Sequence, residues 1–150
     1  MKKFLNKNIV IIGLTFLIPG IIAILTRDSF KTYKLLVRPS FSPPAILFPI
    51  VWNILYLLMS IAAILVKNED ENNLKIYYLQ LILNAIWTPI FFLFKLYYFA
   101  LFELIILLLV VIYMTYKFHK YNKNTLYLLI PYILWLLYAF YLNLFVAIYN

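Results

Sequence analysis

The sequence predicts an all-α membrane protein, built as a bundle of five transmembrane helices in a single domain over residues 1–150. The first observation is composition, because 67% of the residues are hydrophobic and only 12% are charged. Soluble domains average roughly 45–50% apolar and about 25% charged residues. The second observation is that the apolar residues form five continuous runs, each close to the roughly 20 residues that cross a bilayer as a helix.

The first predicted span covers residues 9–25 and follows a basic N-terminus. This arrangement resembles a signal peptide, but the polar residues that begin at Thr26 do not form a small-residue cleavage site. We therefore expect the segment to be retained as a membrane helix. Residues 27–42, called loop 1 below, are polar and basic. They connect the first span to a second one at residues 45–66.

The other three spans are predicted at residues 77–94, 98–116 and 126–148. An acidic, asparagine-rich loop precedes the first of these spans. A tight turn at residues 95–97 and a basic loop at residues 117–125 separate the next two. Because no long polar segment remains, the sequence leaves no room for a separate soluble domain.

The distribution of basic residues predicts how the bundle is oriented. Eight Lys and Arg residues lie at the N-terminus and in the second and fourth loops, against five on the other side. The positive-inside rule then predicts a cytoplasmic N-terminus. The net charge of +8 is best explained by side chains that face anionic lipid headgroups. We therefore expect membrane lipid, and not nucleic acid, as a partner.

Few residues could support acid–base, thiol or metal chemistry. The chain has no cysteine, one histidine and five acidic residues, so we expect no metal site and no cofactor. Glu103 is the only ionisable residue inside a predicted span, and we expect it to reach the interface or to accept a hydrogen bond. A single carboxylate without an intramembrane cation argues against an ion channel or pump.

Aromatic, amide and small side chains share single helix faces on three of the spans. One interpretation is that these faces converge on an aromatic pocket for a flat hydrophobic ligand. The other is that the asparagines link helices and the tryptophans lie in interfacial belts. The spacing alone does not decide between them. The residues are Trp52 and Tyr56 on the second span, Asn84, Trp87 and Phe91 on the third, and Trp135, Ala139, Leu142 and Asn143 on the fifth.

Three stretches together resemble the translocator protein family. This family includes the tryptophan-rich sensory proteins of bacteria and is related to the mitochondrial peripheral benzodiazepine receptor. Residues 33–44 and 52–56 match Y-x-x-L-x-[KR]-P-x-W-x-P-P and W-x-x-L-Y, except that Phe occupies the first tryptophan position. Residues 84–92 match N-x-x-W-x-P-x-F-F, and residues 131–143 match P-Y-x-x-W-x-x-x-A-x-x-L-N. The matches follow the family's order along nearly the whole chain.

The resemblance implies a five-helix bundle in a bacterial cell membrane, often a homodimer, with a pocket that opens toward loop 1. The pocket would bind porphyrins such as protoporphyrin IX or a haem-like ligand. Basic residues of loop 1, such as Lys34 or Arg38, could meet the propionates. Carried over position by position, the ligand-binding residues would be Trp52, Asn84, Trp87, Trp135, Ala139, Leu142 and Asn143, beneath a loop 1 that bears Tyr33, Pro43 and Pro44.

The leading hypothesis is therefore a membrane protein that binds, senses or transports porphyrins. One alternative is light- and oxygen-dependent degradation of protoporphyrin, in which Trp52 and Trp135 would take part. Another is a small transporter of hydrophobic solutes. A sterol ligand is disfavoured because the family's sterol motif is incomplete at residues 146–150.

Overall fold

The computed structural model describes residues 2–150, and all of their side chains but those of residues 4 and 5. The described chain consists of α-helices and contains no strand. The helices are α1 (Lys2–Leu25), α2 (Ser29–Leu35), α3 (Leu47–Val66), α4 (Glu71–Phe92), α5 (Tyr97–Tyr121) and α6 (Asn124–Tyr149).

The prediction of an all-helical membrane protein is confirmed. Within the described residues, four helices are long and apolar enough to cross a membrane: Asn6–Leu25, Leu47–Val66, Tyr97–Tyr121 and Asn124–Tyr149. The third predicted span, at residues 77–94, corresponds to α4, which is helical but less apolar than these four. Its lower hydropathy arises because it begins with exposed polar and charged residues and carries further polar side chains that are buried in the protein.

The ends of the helices differ from the predicted spans for identifiable reasons. Loop 1 contains the short helix α2, and α4 begins six residues before its predicted start. Asp70 caps α4, since its side chain accepts a hydrogen bond from the backbone N–H of Asn72 at 2.9 Å. The predicted turn after α4 includes Lys95, whose φ of 54° lies in the left-handed region that often ends a helix.

The five long helices form a closed ring in the order α1, α3, α6, α5, α4, with α4 returning to α1. Within the described chain, no Cα atom of α4 lies within 8 Å of one in α6. Along the axis of the ring, side chains fill the end that is distant from loop 1. This packed half lies around Met59, Tyr77, Met114 and Leu129. The half next to loop 1 is packed less completely, and this leaves room for a cavity.

Candidate ligand-binding cavity

A cavity of about 330 Å³ lies inside the ring at its loop-1 end. Its wall comes from α1, loop 1, α3, α4 and α6, and no described residue of α5 contributes to it. Most of the wall is apolar or aromatic. This volume and lining are typical of a small-molecule site.

Eight of the ten residues that the sequence predicted for ligand binding line this cavity. Pro43 and Pro44 are not among the described residues of the wall. Pro43 instead accepts a hydrogen bond on its carbonyl from the Tyr33 hydroxyl, at 2.6 Å. Whether any of the ten contacts a ligand stays a prediction. The eight that line the wall are Tyr33, Trp52, Asn84, Trp87, Trp135, Ala139, Leu142 and Asn143.

Two tryptophans from different helices meet in the wall. The rings of Trp52 on α3 and Trp135 on α6 are 6.4 Å apart and nearly perpendicular, at 89°. Trp52 also stacks on Tyr56, with ring centroids 5.5 Å apart. Within residues 2–150, neither Trp52 nor Trp135 donates its indole N–H to a protein acceptor. Both donors are therefore available to a ligand.

The third tryptophan is used differently. Trp87 on α4 donates its indole N–H to Oδ1 of Asn143 at 3.0 Å, and Asn143 donates from Nδ2 to the carbonyl of Tyr97 at 2.9 Å. Asn143 therefore links three helices and lines the cavity as well. The ring of Trp87 also stacks on Phe91, with centroids 4.9 Å apart.

Asn84 begins a chain of hydrogen bonds that leads from the cavity into the packed half of the ring. Its Oδ1 accepts from the Tyr56 hydroxyl at 3.3 Å, and its Nδ2 donates to the Tyr132 hydroxyl at 2.8 Å. Tyr132 then donates to Oε1 of Gln80, also at 2.8 Å. The two interpretations of the asparagines are compatible, because they bridge helices and line the cavity together.

Loop 1 covers the open end of the ring and is attached to α6 at two points. The Tyr138 hydroxyl donates to the carbonyl of Phe41. Asn150 accepts from the backbone N–H of Val37 at 2.9 Å and donates to its carbonyl at 3.0 Å. These bonds hold loop 1 against the end of the helix that carries Trp135.

The sequence interpretation missed the wall that α1 supplies. This wall includes Phe16, Pro19 and Ala23, and nothing lies within 4 Å of a Cβ placed on the neighbouring Gly20. An apolar helix without a polar or tryptophan-bearing face gives no pattern that marks a cavity. Gly20 was the available signal, because a residue without a side chain leaves space.

Glu103 differs from both expectations for it. The side chain is only 7% exposed, and neither carboxylate oxygen has a hydrogen-bond partner within the described chain. It lies on the α5 face that also buries Ala100 and Leu107, so it turns inward instead of toward the interface. Glu103 is not among the described residues of the cavity wall.

Among the described residues there is also no cluster of three His, Cys, Asp or Glu that could hold a metal ion.

Comparison with known proteins identifies the family. Residues 9–149 match the model of the TspO/MBR family. The chain is 33% identical over 117 residues to the tryptophan-rich protein TspO of Chlorobaculum tepidum, covering 74% of each chain. It is 33% identical over 122 residues to the translocator protein homolog of Schizosaccharomyces pombe, covering 76% of this chain and 74% of that one. It is 44% identical over 66 residues to protein CrtK of Rhodobacter capsulatus, where the match spans 40% of this chain and 41% of the relative. With the motif residues gathered around one cavity and the family model matched along nearly the whole sequence, the chain belongs to the TspO/MBR family.

Proposed function

We propose that this protein binds a porphyrin in the cavity between α1, α3, α4 and α6. The observation that carries the proposal is the perpendicular pair of Trp52 and Trp135 in the wall, with both indole N–H groups free of protein acceptors. A porphyrin is a flat aromatic ring that can stack on one indole and meet the edge of the other. Its polar edge can accept hydrogen bonds from indole donors.

The two asparagines of the wall contribute mainly by holding helices in place. Asn84 and Asn143 each use one acceptor and one donor in bonds to the protein. A carboxamide has two donor hydrogens and two acceptor lone pairs, so each side chain keeps capacity for a ligand. We expect this capacity to give orientation, while stacking and burial of apolar area give most of the affinity.

The proposal includes α4 as the fifth transmembrane helix. Its 22 residues give a length of about 33 Å, close to the hydrocarbon thickness of about 30 Å. Leu79, Ile82 and Ile86 on its outer face are 41–49% exposed, whereas Gln80 and Asn84 are buried inside the ring. A bacterial cell membrane with a cytoplasmic N-terminus completes the proposed arrangement.

The proposal is tested by titrating the purified protein in detergent with protoporphyrin IX in the dark, while tryptophan fluorescence is followed. We expect saturable quenching, and a several-fold larger Kd for Trp135→Ala. The matched control is Leu137→Ala, an outward residue of the same helix that is 48% exposed. Linear quenching that is identical in all three proteins would indicate partitioning into micelles and would remove the porphyrin assignment.

A second candidate function is light- and oxygen-dependent degradation of the bound porphyrin. The proximity of Trp52 and Trp135 supports it, because adjacent indoles beside a photoexcited ring are well placed for radical chemistry. Illumination of the complex in air should then yield a new tetrapyrrole product that Trp52→Phe abolishes. The same product from Trp52→Phe, at the same rate, would show that the protein only holds the porphyrin.

A further inference from the structure

The described wall of the cavity contains two charged residues, and both are arginines. Arg27 follows the end of α1 and Arg38 follows α2, so both lie at the loop-1 end. Neither forms an ion pair with any described acidic residue. Asp28, the acid nearest in sequence, is engaged by Lys31 at 3.6 Å.

The other acidic residues lie away from this end of the cavity. Glu69, Asp70 and Glu71 are at the start of α4, whereas the cavity is lined by residues from the second half of that helix. Glu103 belongs to α5, which supplies no described wall residue. An anion at the loop-1 end would therefore meet positive charge without a competing carboxylate in the wall.

Arg38 is held in place before any ligand arrives. Its guanidinium carbon lies 4.3 Å from the ring centroid of Tyr33. Tyr33 is fixed in turn by its hydrogen bond to Pro43 and by an edge contact with Phe48, with ring centroids 5.0 Å apart. A stacked guanidinium loses little further freedom when it binds an oxyanion, and its fork of N–H donors matches a carboxylate.

We propose that Arg27 and Arg38 form an anion subsite at the mouth of the cavity, which binds carboxylates on one edge of the ligand. This rests on the proposed porphyrin function and makes it more specific. The preferred ligand is flat and apolar over most of its surface and carries carboxylates along one edge. Lys34, which the resemblance also suggested, is exposed and is not among the described residues of the wall.

A lipid phosphate could supply the same oxyanion chemistry as a ligand carboxylate. The ligand is the source that we propose, because both arginines line the cavity, with Arg38 half-buried and Arg27 exposed at the mouth. Lys31 and Lys34 are exposed on α2 and are not among the described residues of the wall, so a headgroup can be met by them. The test must therefore compare a medium without phosphate with one that contains anionic lipid.

The experiment titrates protoporphyrin IX and its uncharged dimethyl ester into the protein in maltoside micelles, which contain no phosphate. The variants are Arg27→Gln, Arg38→Gln, and the control Lys34→Gln. We expect the Kd of the free acid to rise about fivefold in each arginine variant, the limit for a partly exposed ion pair. We expect the Kd of the diester to be equal in all four proteins, which also shows that the variants keep an intact cavity.

Equal affinity for the free acid in the unaltered protein and both arginine variants would overturn the subsite. If Trp135→Ala still weakened binding in that case, the proposed function would stand without it. An arginine effect that is absent in micelles and emerges only in vesicles with anionic phospholipid would assign the arginines to headgroups and would also overturn the proposal. Lack of saturable binding by both porphyrins would remove the proposed function itself.

Discussion

The indole N–H of Trp87 donates to Oδ1 of Asn143 at 3.0 Å and so joins α4 to α6 inside the ring. The backbones of these helices are not in contact in the described structure, so the connection is made by side chains that cross the ring. A hydrogen bond of this kind fixes the width of the cavity. We therefore expect substitutions at these residues to affect both stability and the proposed binding.

Asn143→Leu should destabilise the protein, because it leaves the Trp87 N–H and the Tyr97 carbonyl without these partners. In a double-mutant cycle that combines Asn143→Leu with Trp87→Phe, we expect a coupling energy of about 1 kcal/mol, near the upper range for polar pairs in membranes. Unfolding in mixed micelles measures it, with Asn72→Ala, an exposed asparagine of α4, as the control. A coupling of zero would mean that the bond contributes nothing in the bilayer-like medium.

Tyr132→Phe should also destabilise the protein, by about 1 kcal/mol or more. The hydroxyl accepts from Nδ2 of Asn84 and donates to Oε1 of Gln80, so its loss leaves one buried amide donor and one buried amide acceptor without this partner. Tyr127→Phe on the same helix is the control, because Tyr127 is 73% exposed. Equal thermal midpoints for the two variants would contradict the role of this hydrogen-bond chain.

Most of the residues that the motifs predicted for the site do line the cavity, because the motifs of the long helices lie on faces with a readable period. Trp135, Ala139 and Leu142 on α6 share one such face, and the structure places all three in the wall. The helical class followed from hydropathy. The number of spans is harder to derive from hydropathy. The polar residues Gln80 and Asn84 lower the mean hydropathy of α4, although both side chains are buried in the bundle.

The features that the sequence did not predict depend on contacts between residues that are distant in sequence. No local pattern shows that Asn150 binds Val37, or that Arg27 enters the wall while Lys34 does not. The inward direction of Glu103 likewise results from the packing of α5 against α3, α4 and α6. Such features become visible only when the helices are assembled.

Thr15→Val should loosen α1 from the ring. The Thr15 hydroxyl lies 2.6 Å from the hydroxyl of Tyr77 on α4, and α1 has few other buried residues. We expect weaker porphyrin binding and a lower thermal midpoint, because α1 supplies one wall of the cavity. Thr115→Val is a matched control, since the Thr115 hydroxyl bonds only to Val111 of its own helix. An effect of equal size in both variants would argue against the link between helices.

Asp70→Asn should change how stability depends on pH. The backbone N–H of Asn72, followed by Lys117, holds the pKa of the Asp70 carboxyl below its ordinary value of 3.8. A lowered folded-state pKa contributes stability above the ordinary value, which is lost as the pH falls through the folded-state pKa. The variant should therefore be less stable at neutral pH, and the difference should shrink below about pH 4. Thermal midpoints from pH 3 to pH 7 test this, with Glu71→Gln as the control.

Asn150→Ala should free loop 1 at its attachment to α6. Asn150 accepts from the N–H of Val37 and donates to its carbonyl, so removal of the side chain exposes that amide. Because one such hydrogen bond is lost, we expect amide hydrogen exchange in this segment to become about three to ten times faster. We expect the change to be confined to residues 36–42 and the exchange of α3 to remain as it was. Asn124→Ala, at the other end of α6, is the control.

The second attachment determines how far this opening extends. Tyr138 still bonds to Phe41 in Asn150→Ala, so the segment near Phe41 should keep more of its protection than Val37. Adding Tyr138→Phe should release both points, and porphyrin should then dissociate faster than from either single variant, since the cover of the cavity is no longer tied to the helix that bears Trp135. Unchanged dissociation in the double variant would mean that the ligand leaves by a path between the helices, and that loop 1 does not control its exit.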